Sequence, residues 1–170
     1  MRTFAIIFIL LLSLPVTQAF AQKKKATAPT YATYPGIPAF DITRADGSIF
    51  NTSDVPAGKP ALFIFFSTDC SKCRMFVREL QANYQPLRDI NIYMATPMAM
   101  DGAKIFAHDL GLDYFKNITW GVDAKNFVKP FYDITGLPAA VLYNRDKQLV
   151  QRFSGVFTAQ NVLQAVEKAR

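Results

Sequence analysis

The sequence predicts an α/β fold in which a central mixed β-sheet is flanked by helices. Three observations carry that prediction. Ala61 to Phe66 is an uninterrupted apolar run between Gly58-Lys59-Pro60 and Ser67-Thr68-Asp69, which reads as a strand buried on both faces. Directly behind it, Cys73, Phe76, Val77, Leu80 and Tyr84 recur at helical spacing, so the chain from Cys70 to about Tyr84 reads as an amphipathic helix lying on that strand. Downstream, strand and helix patterns alternate and close with a hairpin and a helix, the order of a layered α/β domain.

Taken in order, the chain starts with an export signal. Arg2 precedes the apolar stretch Phe4 to Leu14, and Pro15 and Ala19-Phe20-Ala21 follow, which is the order of a secretory signal cleaved after Ala21. The apolar stretch is shorter than the roughly 20 residues a membrane span requires. No cysteine precedes Cys70, so no lipid attachment site follows the signal, and the processed protein is expected to be soluble. Residues 22–36 are Lys-rich, then rich in Ala, Thr, Pro and Tyr with no apolar period, and are expected to be a flexible linker. Residues 37–170 are then a single domain. Within it, Asp46-Gly47 between Ala39 to Thr43 and Ser48 to Phe50 predicts a β-hairpin, an N-terminal extension of the sheet.

Beyond the Cys70 helix, Ile90 to Met94 reads as a strand and Ala103 to Leu110 as a helix that Gly111 ends. The aromatic-rich stretch that follows, through Trp120 and Phe131, reads as irregular. Ala139 to Tyr143 and Leu149 to Phe153 read as strands joined by the turn Asn144 to Lys147. Thr158 is placed to cap a last helix, with Val162, Ala165, Val166 and Ala169 on one face. A hydrophobic content of 51% with 19% charged residues supplies a core and excludes disorder. The net charge of +6 is mild and sits partly in Lys23 to Lys25, without the basic helix or aromatic interleaving of a nucleic-acid binder.

The only cysteines are Cys70 and Cys73, placed where the apolar strand hands over to the helix. Three uses compete. A bridge across so few residues removes little denatured-state entropy, roughly 2 kcal/mol against about 4.7 for a 100-residue loop, so a structural staple is a weak use of the pair. A zinc site lacks ligands, since the chain adds only His108 to the two cysteines and four ligands are usual. A redox centre has a direct physical reason: a cysteine at a helix N-terminus faces unpaired N–H groups and the positive end of the helix dipole, which favour the thiolate. Cys70 is then the nucleophile, and Cys73, one turn inward, resolves the mixed disulfide.

At these residues the sequence resembles the thioredoxin superfamily, and within it the exported TlpA-like thiol-disulfide oxidoreductases. Gly58-Lys59-Pro60 and the run from Ala61 into Cys70-Ser71-Lys72-Cys73 resemble the family's entry to its active site, and Tyr132-Asp133-Ile134-Thr135-Gly136-Leu137-Pro138 resembles its second signature. Gly155 matches a further family glycine. The resemblance implies a thioredoxin-like fold, a cis-proline at Pro138, and a Leu137 backbone that pairs with an extended substrate segment. It further implies a periplasmic enzyme without organic cofactor or metal, whose partners are disulfide-bearing exported proteins and a membrane or periplasmic dithiol donor. Asp69, Ser71 and Lys72 stand as modulators around the nucleophile.

Three positions depart from the pattern: Asp69 stands where Trp is common, Ala139 where Thr is common, and Ile64 where thioredoxins proper keep a buried Asp. With Asp69 and Lys72 of opposite sign on either side of Cys70, their effects nearly cancel, leaving the helix terminus as the main stabiliser of the thiolate. A modestly lowered thiol pKa and a reductase or isomerase character follow. A peroxiredoxin reading fails because no proline stands seven residues before either cysteine. Two alternatives remain: a thioredoxin-fold binding module, and a copper-delivery module using Met94, Met98 and Met100, since thioether sulfur suits Cu(I). Trp120, Phe127, Phe131 and Tyr132 are expected either in the core or in the wall of a substrate groove.

Overall fold

The computed structural model describes residues 30–170; the expected signal and residues 22–29 of the expected linker lie outside the described residues. A seven-stranded sheet organises the domain. Its strands are β1 (Asp41–Thr43), β2 (Ile49–Asn51), β3 (Ala61–Phe65), β4 (Asn91–Thr96), β5 (Ile118–Val122), β6 (Ala139–Tyr143) and β7 (Leu149–Phe153). The order across the sheet is β2-β1-β5-β4-β3-β6-β7. β3, β4 and β5 are parallel, and β1, β6 and β7 pair antiparallel with their neighbours, so the sheet is mixed as expected. The helices are α1 (Thr30–Thr33), α2 (Ser71–Ala82), α3 (Met100–Asp109), α4 (Val128–Phe131) and α5 (Ala159–Lys168).

Central β3 shows why an unbroken apolar run is required. Its side chains alternate between two cores: Leu62, Ile64 and Phe66 face one, and Ala61, Phe63 and Phe65 face the other. The first core is completed by Cys73, Phe76, Val77 and Leu80 of α2, Phe106 of α3, and Val162, Leu163 and Val166 of α5. The second is aromatic, with Phe63 stacked on Tyr93 at 5.0 Å and Phe65 against Tyr132 at 5.4 Å. At its centre the buried hydroxyls of Tyr132 and Tyr143 share a hydrogen bond of 2.7 Å. The Asp46-Gly47 hairpin forms as expected, with Gly47 at φ +83°, and adds β1 and β2 to the edge of the sheet. Thr158 caps α5 in a reciprocal capping box with Asn161.

Two expectations are corrected. The stretch around Trp120 is not irregular: Ile118–Val122 is β5, parallel to β4. Its pattern is hidden because Ile118, Thr119 and Trp120 are only half-buried and Gly121 interrupts the run. That glycine is required, since a Cβ there would run into the Thr43 carbonyl of β1. The expected linker is also shorter than residues 22–36, because 30–36 are docked on the domain. Tyr31 stacks on Tyr132 at 6.5 Å beneath the guanidinium of Arg152, Tyr34 meets the edge of Phe131, and the Pro35 carbonyl accepts from the Leu149 N–H at 2.7 Å. The half-buried Tyr31 ring and the backbone pairing of Pro35 and Gly36 with the start of β7 hold a segment that shows no apolar period in the sequence.

Gly121→Ala is expected to destabilise the protein by about 1–3 kcal/mol or more in urea melts, because the new methyl collides with backbone rather than with a movable side chain. A second expectation concerns pH. Burial pushes the Tyr143 phenol up to about 12 and holds Tyr132 higher than its ordinary value. The folded state therefore keeps these protons when the unfolded chain has lost them. Their stabilisation is complete below pH 10 and is lost as pH rises from 10 towards 12. Tyr143→Phe should cost about 1–2 kcal/mol at neutral pH, by orphaning the Tyr132 hydroxyl, and should make the alkaline fall in stability shallower.

Candidate active site

The site forms where β3 ends and α2 begins. Phe66 is still fully buried, Ser67 and Thr68 turn the chain, and Cys70 becomes the N-cap residue of α2 in an extended conformation. Its sulfur accepts the backbone N–H of Cys73 at 3.1 Å, while its carbonyl accepts from Cys73 and Arg74. A sulfur in the N-cap position takes the role a serine or aspartate oxygen has elsewhere, and a thiolate there gains both the N–H and the helix dipole. Cys70 and Cys73 are joined by a disulfide, with Cα atoms 5.2 Å apart. Cys70 is partly exposed and Cys73 is completely buried, so an incoming disulfide can reach only the first.

Across from the disulfide, the Leu137–Pro138 peptide bond is cis, and the Leu137 carbonyl oxygen lies 3.9 Å from the Cys70 sulfur. Among the described residues the Leu137 N–H makes no hydrogen bond. The structure thus brings together Cys70, Cys73, Leu137 and Pro138 although 64 positions separate Cys73 from Leu137. β6 makes this possible: it runs antiparallel to β3 with Ala139 opposite Phe65, so the residues just before β6 meet those just after β3.

The charges around Cys70 are partly committed elsewhere. Asp69 is exposed and accepts a short hydrogen bond from the Ser67 hydroxyl, which together with a backbone N–H holds its carboxyl below the usual carboxylate range. Arg74 lies over the Phe106 ring, pairs with Asp109 of α3 at 3.0 Å and donates to the Thr68 carbonyl at 3.4 Å, tying the active-site turn to α3. Ser71 and Lys72 are exposed, and Lys72 borders a hollow of about 480 Å³ that also touches Met75, Glu79, Pro138 and Val156. Ile64 is buried in the same core as Cys73.

Sequence reasoning missed the contributions of Ser67 and Arg74. The Ser-x-Asp spacing of Ser67 and Asp69 is a readable local signal, whereas Arg74 depends on a partner 35 residues away. Other candidates resolve into packing: Tyr132 is buried in the aromatic core, Phe127 and Phe131 stack on each other against it, and Trp120 donates to Asp113. His108 lies at the exposed surface beside Asp109. Met94 is buried in the core while Met98 is exposed, so the three methionines do not gather at one surface.

Residues 55–170 match the family of thioredoxin-like domains. This chain belongs to that family. No match was found among curated proteins. Solved structures similar to this thioredoxin-like domain include a putative thiol:disulfide interchange protein DsbE from Chlorobium tepidum, 20% identical, covering 79% of this chain and 95% of that one with a TM-score of 0.63. A secreted Mycobacterium tuberculosis disulfide oxidoreductase homologous to E. coli DsbE is also 20% identical, over 76% of this chain and 95% of that one, TM-score 0.63. The exposed lipoprotein thioredoxin Etrx1 of Streptococcus pneumoniae is 20% identical over 77% and 99%, TM-score 0.59. At such identity these likenesses speak for the fold. The β1–β2 hairpin precedes the matched residues of the family.

Replacing Asp69 by Asn removes a carboxylate held ionised next to Cys70. Iodoacetamide should then alkylate reduced Cys70 about two- to fivefold faster near neutral pH at low salt, and the gain should shrink at high salt. The rate of alkylation across pH in both proteins checks this.

Proposed function

We propose that this protein is a periplasmic thiol-disulfide oxidoreductase that reduces or reshuffles disulfides in exported proteins. The observation that carries the reading is the partly exposed Cys70 sulfur, capping α2 and facing the Leu137 carbonyl, with Cys73 buried one turn behind it. In the reducing direction, the Cys70 thiolate attacks one sulfur of a target disulfide and expels the other as a thiolate. The buried Cys73 thiol then loses its proton, attacks the Cys70 sulfur and releases the second target thiolate, leaving the Cys70–Cys73 disulfide. A membrane or periplasmic dithiol returns two electrons to that disulfide and becomes oxidised itself, which an oxidising compartment makes necessary.

Several features support the finer parts of the reading. The signal-like segment ending at Ala21 supports export. Two of the similar structures are described as secreted or surface-exposed. Reductase or isomerase character rests on the electrostatics: the Cys70 thiolate is favoured by the α2 terminus and a backbone N–H, while Asp69 beside it stays ionised and opposes it. The activity needs no cofactor beyond the dithiol.

Thiol trapping of the purified protein after equilibration across glutathione ratios should give a reduction potential closer to thioredoxin's, about −270 mV, than to the −120 mV of DsbA. Cys70→Ser should abolish exchange, and Cys73→Ser should accumulate a mixed disulfide with glutathione. A value near that of DsbA would make the protein an oxidant, and no exchange at any ratio would leave the cysteine pair a staple on a binding module.

A further inference from the structure

The loop from Asp133 to Pro138 brings the Leu137 carbonyl to 3.9 Å from the Cys70 sulfur, yet little of its own backbone holds it there. Among the described residues the N–H groups of Thr135, Gly136 and Leu137 make no hydrogen bond, and Ile134 alone is tied back, to the Lys129 carbonyl at 3.0 Å. Asp133, where the loop departs, sits at φ +50°, a left-handed conformation that a residue with a side chain keeps only where its surroundings impose it. Arg152 of β7 is the group that meets it: the guanidinium donates to the Asp133 carbonyl at 3.3 Å. We propose that Arg152 is a positioning residue for disulfide exchange and that Tyr31 of the N-terminal arm holds it in that role. The proposal rests on the oxidoreductase reading and goes beyond it by naming what fixes the loop opposite Cys70.

The setting of Arg152 supports this. Its guanidinium lies 4.8 Å over the Tyr31 ring, and that ring stacks at 6.5 Å on Tyr132, the residue before Asp133. Arg152 joins no salt bridge among the described residues, so its charge is engaged by the ring face and the carbonyl dipole. A carbonyl accepting from a cation is bonded more strongly than one accepting from a neutral donor. A planar guanidinium can also rest its face on a ring while donating from its edge. The arm is anchored to the strand that carries Arg152, because the Leu149 N–H donates to the Pro35 carbonyl at 2.7 Å and Gly36 bridges Gln148. Tyr31 lies ahead of residues 55–170, so the ring that seats Arg152 comes from outside the matched domain.

The consequence falls on large substrates. An extended polypeptide must lie along Leu137 to bring its disulfide to Cys70, whereas a small disulfide needs only the exposed part of the sulfur. Without the brace the loop has to be ordered as the polypeptide arrives, and that entropy is lost from binding. Cys70 keeps its own support, the Cys73 N–H, in either case.

The test gives the reduced protein two disulfides: bis(2-hydroxyethyl) disulfide, and a short unstructured peptide with a central cysteine joined to mercaptoethanol. Each is cleaved to two thiols as the Cys70–Cys73 dithiol becomes the disulfide. Arg152→Gln and Tyr31→Ala should each slow reduction of the peptide about two- to fivefold, the factor of a lost surface contact between cation and ring. The half-saturating peptide concentration should rise while the maximal rate stays. Reduction of the small disulfide and the pH profile of Cys70 alkylation should not change. Tyr31→Phe, which keeps the ring face, should restore the peptide rate, and the double variant should be no slower than Arg152→Gln, since both changes remove one contact. Arg44→Gln removes a comparable contact, with Phe50 at 5.2 Å in the β1–β2 hairpin, and should leave both rates alone. Equal slowing of both disulfides, an unchanged peptide rate in both variants, a shifted alkylation profile, or the same peptide effect from Arg44→Gln would overturn the brace and leave the oxidoreductase reading standing. Failure of the unaltered protein to reduce either disulfide would overturn both.

Discussion

The Cys73 N–H, donated to the Cys70 sulfur at 3.1 Å, joins the chemistry of the site to the fold, and most of the architecture can be understood as holding that pair in place. The sulfur sits at the N-cap only because β3 ends one turn earlier, in the centre of the sheet, and because α2 is pressed onto the sheet by Cys73, Phe76, Val77 and Leu80. The stabilisation of negative charge then comes from backbone geometry, which a folded chain supplies without reorganising when the disulfide opens. Charged side chains nearby are engaged elsewhere: Asp69 with Ser67, and Arg74 with Asp109 and the Thr68 carbonyl.

From that pair the division of labour in the sheet follows. β3 sends alternate residues to two cores of different character, aliphatic and helical on the α2 side, aromatic on the other. β6, antiparallel to β3, begins at the active-site end, so Leu137, two residues before it, lies opposite Cys70. The cysteine pair at a helix terminus and the Leu137 backbone from a distant segment thus meet because both flank adjacent central strands.

Legibility in the sequence tracked how far each signal depended on distant partners. The Cys70 helix was readable because its buried residues recur every three to four positions, and β3 and β6 because both are apolar throughout. β5 was not, since its half-buried residues and Gly121 obey the demands of β1, more than 70 positions earlier, rather than a local period. The arm at residues 30–36 misled for a related reason: Tyr31 and Tyr34 find their rings' partners at Tyr132 and Phe131, which no window around residue 31 contains. Arg74 reads as one more surface charge until Asp109 and Phe106 are placed beside it.

What the sequence determined by itself is the chemistry and the fold class: two cysteines three positions apart at a strand-to-helix boundary, an alternation of strands and helices, and a Gly-Leu-Pro segment ahead of a buried strand. These are local patterns, set by the periods of helix and strand and by which residues can begin or end them. The tertiary structure alone decided what surrounds the sulfur. Exposure of Cys70 against burial of Cys73, the approach of Leu137, and the placing of Arg152 between the Tyr31 ring and the Asp133 carbonyl all depend on segments that meet only after the sheet has assembled. Contacts between residues tens of positions apart leave no period in one sequence, so no local reading of it could have placed them.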